Sequence, residues 1–264
     1  MTALLEARGI CKSYGHVEVL RDVDFDAEAG QVTALIGDNG AGKSTLIKIL
    51  SGAASLDRGT ISLDGKQVSL ASPTHARDVG IETVYQDLAL APELGPAENT
   101  FAGREILKPG VLGWFGVLDK SEMRRQAGAA FTSMGTDVKD LDAAVGALSG
   151  GQKQSVAICR SVMWAERVIF MDEPTAALGV RQTGKVLELV RRVAERGVAV
   201  VLISHNMPEV LEVADSIQVL RLGKRVAQYG RDATVAQLVG AMTGALEMAT
   251  AAQHGRADEE GAPS

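Results

Sequence analysis

The chain has 264 residues, of which 46% are hydrophobic, 23% charged and only 4% aromatic, so any core is built mostly from Ala, Val, Leu and Ile. Its formal net charge is −6 at pH 7, the wrong sign for a protein whose main work is gripping nucleic acid. No apolar run approaches the roughly 20 residues of a membrane-spanning helix, and Met1 to Arg8 has neither the basic start nor the long apolar stretch of a secretory signal.

From Leu4 to about Leu63 the pattern predicts strands. Val17, Val19, Val23 and Phe25 recur with polar residues between them, and Glu28-Ala29-Gly30 turns the chain. Val32 to Ile36 is a short apolar strand. It runs into Gly37-Asp38-Asn39-Gly40-Ala41-Gly42-Lys43-Ser44-Thr45, followed by the helical pattern Leu46, Ile47, Ile49, Leu50. This is the GxxxxGK[ST] phosphate-binding loop in its strand–loop–helix setting. Its glycines let successive N–H groups converge on one anion, and the helix N-terminus adds partial positive charge. Lys43 is expected to reach the β and γ phosphates, and the Ser44 hydroxyl to ligate Mg²⁺. The ligand class is therefore a nucleoside triphosphate with its metal.

Ser51-Gly52 ends that helix. Leu56 to Gly59 is a turn, and Thr60 to Leu63 with Asp64-Gly65 predicts a strand and hairpin. Ser72-Pro73 starts a helix, and Ile81 to Tyr85 is a buried strand. Residues 87–147 differ, with Pro92, Pro96, Pro109, many glycines and a helical run from Lys120 to Met134. They predict a mostly helical insertion. The core resumes with helix 150–165, strand 167–172, helix 180–195 and strand 198–203, an alternation that implies a largely parallel sheet. Gln253 to Ser264 has the composition of a disordered tail. Cys11 and Cys159 lie far apart and predict free, partly buried thiols in a reducing cytoplasm. The four histidines are isolated and offer no zinc cluster.

Val168-Ile169-Phe170-Met171 ends in Asp172-Glu173. Ligands sit beyond the carboxyl ends of parallel strands. Asp172 is thus placed to hold Mg²⁺, and Glu173 to act as general base on the water attacking the γ phosphate. Ser149 is a good N-cap before Gly150-Gly151-Gln152, making a second phosphate-binding helix start, while Lys153 and Gln154 read as its exposed first turn.

Leu148-Ser149-Gly150-Gly151-Gln152 resembles the signature of ATP-binding-cassette ATPases, and Gly37 to Thr45 and Asp172-Glu173 are similar to their phosphate loop and metal–base pair. Gln86, after Thr83-Val84-Tyr85, matches their glutamine loop, His205 their switch histidine and Tyr14 the aromatic that stacks on adenine. The resemblance covers residues 4 to about 230. It implies an α/β fold: a P-loop NTPase core with a mostly parallel sheet, an N-terminal antiparallel β subdomain and an inserted α-helical subdomain near residues 87–165, in one domain over 1–250 with a tail at 251–264. It also implies catalysis by Glu173, His205 and Gln86, Mg²⁺ on Ser44, Gln86 and Asp172, and ATP held between two cassettes. One chain would give its phosphate loop and the other its Ser149-Gly150-Gly151-Gln152. The chain departs from the family at Gly179, where Asp is usual after Ala-Ala-Leu. That departure puts the efficiency of hydrolysis in question but not ATP binding.

Glu173 to Thr183 and Ser204 to Met207 resemble the ribose/xylose/fructose group of sugar importers, in particular its single-cassette members. The expected partners are integral-membrane permease subunits, a second copy or a sister cassette and, indirectly, a periplasmic sugar-binding protein, with no nucleic acid. The expected place is the cytoplasmic face of the inner membrane. The apolar stretch Val111 to Leu118 has two readings: it forms, with residues 87–104, a groove for a permease helix, or it packs inside its own subdomain. A soluble cassette ATPase and a GTPase-like switch are rival classes; no guanine-reading Asn-Lys-x-Asp motif is found for the latter.

Overall fold

The computed structural model describes residues 3–85, 87–136, 138, 140–176 and 178–245. Gln86 and the tail at 251–264 lie outside the described residues. The N-terminal part is an antiparallel sheet of β1 (Leu5–Tyr14), β2 (Val17–Ala27), β4 (Arg58–Leu63) and β5 (Lys66–Gln67), in the order β2-β1-β4-β5. The alternation of Val23 and Phe25 is the buried face of β2. Register shifts along β1 and β2 bring Leu20 inside and leave Val17 exposed. Between β2 and β4 the chain enters the second sheet with β3 (Val32–Ile36) and α1 (Lys43–Leu50).

The second sheet also takes β6 (Ile81–Val84), β7 (Val168–Asp172), β8 (Ala199–Ile203), β9 (Ser216–Arg221) and β10 (Lys224–Gly230), in the order β10-β9-β3-β8-β7-β6. All its pairings are parallel except the β9–β10 hairpin. β3 and β8 are buried at every residue, as strands covered on both faces must be. α2 (Pro73–Asp78) begins where Ser72 accepts the His75 N–H, as Ser-Pro predicts.

Residues 96–164 carry α3 (Pro96–Thr100), α4 (Val111–Trp114), α5 (Lys120–Ser133) and α6 (Gly150–Trp164). Asp119 caps α5, whose Met123, Ala127 and Phe131 recur every four residues on one buried face. Phe101, fully buried, meets Trp164 edge-to-face with ring centroids 5.5 Å apart. This layer packs with α7 (Val180–Glu195) and one face of the parallel sheet. The opposite face packs with α1 and the antiparallel sheet in a second core.

Two expectations are corrected. Cys11 and Cys159 are free but buried rather than partly buried, and burial pushes the Cys159 thiol up to about 12. Gln154 is buried, because α6 is covered on more than the one side its first turn suggested. After Ile203, periodicity revealed none of α8 (Met207–Val213), β9, β10 or α9 (Val235–Thr243). These elements are short, and their apolar residues form a small third core with Ala34 and Ile36. No described helix is long and apolar enough to cross a membrane.

Candidate nucleotide site

β3 ends at Ile36, and the loop that follows is wedged between the two sheets. At Gly37 φ is 153°, and a Cβ there would lie 2.1 Å from the Leu220 carbonyl oxygen. At Gly42 φ is 104°, and a Cβ would lie 2.7 Å from Leu20 Cδ2. Only glycine satisfies both the dihedral and the contact. Gly42 is the N-cap of α1 and contributes no side chain, so the first N–H groups of the helix remain directed at the loop's concavity. Gly42→Ala is expected to cost about 1–3 kcal/mol in stability, read as a lowered melting temperature, and to weaken nucleotide retention.

Lys43 Nζ donates to the carbonyl oxygens of Gly37 at 2.5 Å and Asp38 at 3.0 Å. Burial pushes its pKa down, while Glu173, Asp38 and Asp172 pull it back up. Those carboxylates are brought near by strand register, since β7 and β8 pair in parallel with Asp172 opposite Ile203. The Glu173 N–H donates to the Ile203 carbonyl at 2.9 Å, and Glu173 adopts the left-handed conformation, φ 48°. A non-glycine residue held there is strained, and such strain concentrates at functional sites. The turn brings Glu173 Oε1 to 2.8 Å from His205 Nδ1. Burial, then the neighbouring Glu173, raises the Asp172 pKa, against the pull of Lys43 and Lys48.

A cleft of about 680 Å³ is lined by Gly37, Asp38, Asn39, Gly40, Ala41, Gly42, Lys43, Ser44 and Thr45 together with Asp172, Glu173 and His205. The structure thus brings Gly37 to Thr45, Asp172, Glu173 and His205 to one place, while Gln86, also expected at the metal, lies outside the described residues. The donors offered to a metal are a hydroxyl and a carboxylate, both hard oxygen ligands. That set fits Mg²⁺, which keeps few protein ligands and completes its shell with phosphate and water. Among the described residues no cluster of three or more His, Cys, Asp or Glu side chains could hold a metal by itself.

Two expected groups stand elsewhere. Tyr14 sits at the tip of the β1–β2 hairpin, opposite Val17, half exposed; Val19, two residues beyond Val17, lines the cleft. Ser149, Gly151 and Gln152 line a separate pocket of about 210 Å³ with Gln182. Ser149 and Gln152 form a reciprocal capping box at the start of α6. The α7 N-cap is Gly179, whose N–H donates to Gln182 Oε1 at 3.1 Å. That glutamine packs on Gly151 as well, a contact no motif announces: a Cβ on Gly151 would lie 2.9 Å from Gln182 Cγ. Val19 and Met242 line the cleft without any local signal in the sequence.

The ABC transporter family profile matches residues 20–176. The chain belongs to the ABC transporter family. It is an ATPase cassette and binds nucleotide. It is 51% identical to the fructose import ATP-binding protein of Rhizobium meliloti over 92% of this chain and 95% of that one. Against the xylose/arabinose import ATP-binding protein of Sulfolobus acidocaldarius the identity is 43%, over 92% and 95%. The ribose import ATP-binding protein of Chromobacterium violaceum is 43% identical over 88% of this chain, which spans 46% of that relative's length. Among solved structures, a nucleotide-free ATP-binding cassette from an ABC transporter superposes with TM-score 0.76 at 27% identity, covering 87% of this chain and 92% of that one. An ABC transporter cassette in its ADP conformation gives 0.76 at 25%, covering 92% and 96%. The sheets, helical layer and phosphate loop are thus those of an ABC cassette.

Proposed function

We propose that this cassette is the ATP-hydrolysing subunit of an importer that carries a monosaccharide through separate integral-membrane permease subunits. The hydrolytic part rests on one observation, the convergence of Lys43, Asp172, Glu173 and His205 on a single cleft. The importer part is supported by the fructose, xylose/arabinose and ribose import names of the relatives. Residues 1–250 form one nucleotide-binding domain, with the helical subdomain near 87–165 inserted in it.

The phosphates of ATP lie in the loop, where the backbone N–H groups of Asn39 to Thr45 and the Lys43 ammonium replace water as partners. Ser44 and Asp172, with Gln86, would hold Mg²⁺, which would supply charge neutralisation for the phosphates. Glu173 orients the attacking water and accepts its proton. His205, bonded to Glu173 through Nδ1, keeps that carboxylate aimed and contacts the γ phosphate with its other nitrogen. Tyr14 stacks on the adenine. Ser149, Gly151 and Gln152 line a separate pocket and not this cleft, and so the Ser149 to Gln152 stretch serves the nucleotide of a second copy or a sister cassette.

The permease meets the cassette on its helical side. Here a groove of about 250 Å³ is lined by Tyr85, Ala89, Ala102, Arg104 and Arg160, with Glu82 at its base bonded to Arg104 at 2.6 Å. Nearby in sequence, Leu107 pairs with Leu118 and carries α4 at the tip of the excursion. Trp114 is 83% exposed and Phe115 73%, so these side chains do not pack inside their own subdomain, and none of residues 111–118 lines that groove. An apolar tip of this kind marks a protein contact. Replacing both Trp114 and Phe115 with Ser should leave stability within about 0.5 kcal/mol and ATP binding intact, while recruitment to permease-bearing membranes is lost. Recruitment at the wild-type level would remove the tip from the interface.

The whole reading is tested by affinity capture from solubilised membranes with Glu173→Gln cassette and ATP. A polytopic permease in the eluate supports the importer and places the cassette on the cytoplasmic face, where ATP is. Partners confined to ribosomes or DNA repair, with no permease, would overturn it.

A further inference from the structure

The adenine platform assigned to Tyr14 has a built foundation. Lys12, two residues earlier on β1, is a buried lysine with a side chain 11% exposed. Its Nζ lies 5.5 Å from the centroid of the Tyr14 ring, within cation–π range. The same ammonium donates to Asp57 Oδ1 at 2.8 Å and to Ser55 Oγ at 3.4 Å. The other Asp57 oxygen accepts the backbone N–H of Ser13 at 2.7 Å. The Lys12 and Ser13 contacts hold the Asp57 carboxyl below its ordinary range. One carboxylate therefore grips both residues that precede the tyrosine. Asp57 itself is fixed by its N–H, which donates to the Cys11 carbonyl at 3.0 Å.

An isolated tyrosine at a hairpin tip would sample several rotamers, and a base stacking on it would bear the entropic cost of ordering it. Here the ring faces a cation that its hydrogen bonds to Asp57 and Ser55 hold in place. Half of the tyrosine remains open to solvent.

We propose that Lys12 and Asp57 are positioning residues that lock the Tyr14 ring from behind, so that its free face is presented to the purine of a bound nucleotide. This rests on the adenine-platform reading of Tyr14. The clamp contributes to base recognition and nothing to phosphate binding, because its partners Ser13, Ser55 and Asp57 all lie outside the phosphate loop.

The test compares ATP with inorganic tripolyphosphate, each titrated with Mg²⁺ against wild type, Lys12→Met, Asp57→Asn, Lys12→Arg, Tyr14→Ala and the Lys12→Met/Tyr14→Ala pair. Lys12→Met and Asp57→Asn should weaken ATP about three- to tenfold and leave tripolyphosphate unchanged. Lys12→Arg, which keeps a cation on the ring, should recover most of the loss. In the Tyr14→Ala background Lys12→Met should have no further effect. Equal losses for ATP and tripolyphosphate would mean a general structural role and overturn the proposal, as would additive effects in the double variant. Tyr14→Ala with wild-type ATP affinity would overturn the platform itself, a separate result from failure of the clamp.

Discussion

Glu173→Gln is expected to slow ATP turnover by about 10²- to 10⁴-fold while ATP binding persists. The substitution is isosteric. The amide can keep a hydrogen bond to His205, which lies 2.8 Å from Oε1 in the native site, and the strained backbone at φ 48° is untouched. What disappears is the capacity to accept a proton from water. The variant should therefore melt like wild type and accumulate as an ATP-bound dimer on size exclusion. Phosphate release within about twofold of wild type would remove Glu173 from the role of base and transfer it to another cleft group. The adjacent Asp172 carboxylate is the alternative, its pKa raised by burial and then by Glu173.

Lys43→Ala should fail at the earlier step. The Lys43 ammonium sits among Glu173, Asp38 and Asp172 and bonds the loop carbonyls of Gly37 and Asp38. On the proposed reading those donors turn to phosphate oxygens when ATP binds, and charge-assisted hydrogen bonds contribute about 1.5–3 kcal/mol each. Losing two of them predicts a rise in Kd on the order of 10²- to 10⁴-fold, measured by titration with a fluorescent ATP analogue. Removing the cation also leaves Asp172 and Glu173 facing each other with less compensation. Raised Mg²⁺ should therefore recover part of the binding lost. An unchanged Kd would mean that backbone N–H groups alone carry the phosphates.

The phosphate loop and the acids at the end of β7 were legible because each depends on neighbours in sequence, whereas the histidine after β8 was legible only through the family resemblance. A strand sets the direction, glycines permit the turn and a helix follows. The alternation from Gly150 to Ile203 was legible for the same reason, its periods being long and regular. Lys12 and Asp57 were not legible, since they pair across 45 residues through the β1–β4 edge. Gln154 was misjudged because one helix face can be read from periodicity but the second covering layer cannot. Trp114 and Phe115 break the rule that large apolar side chains go inside, and only the fold reveals that they remain outside. Gly179 reads as a missing carboxylate in sequence. In three dimensions Gln182 meets its N–H and also rests on Gly151.

The two sheets share α1 as common filling: Leu5 and Phe25, Leu46 and Ile49, Phe170 and Val201 belong to one core. Phe101, Met123, Phe131 and Val156 belong to the other, across the parallel sheet. The antiparallel sheet that ends in the Tyr14 hairpin and the helix that follows the Lys43 loop are therefore joined through one shared core. The layer that carries Ser149 packs on the opposite face of that sheet, in a core of its own. The Tyr14 hairpin and the Ser149 helix start thus rest on different cores, and a substitution that loosens one core need not loosen the other.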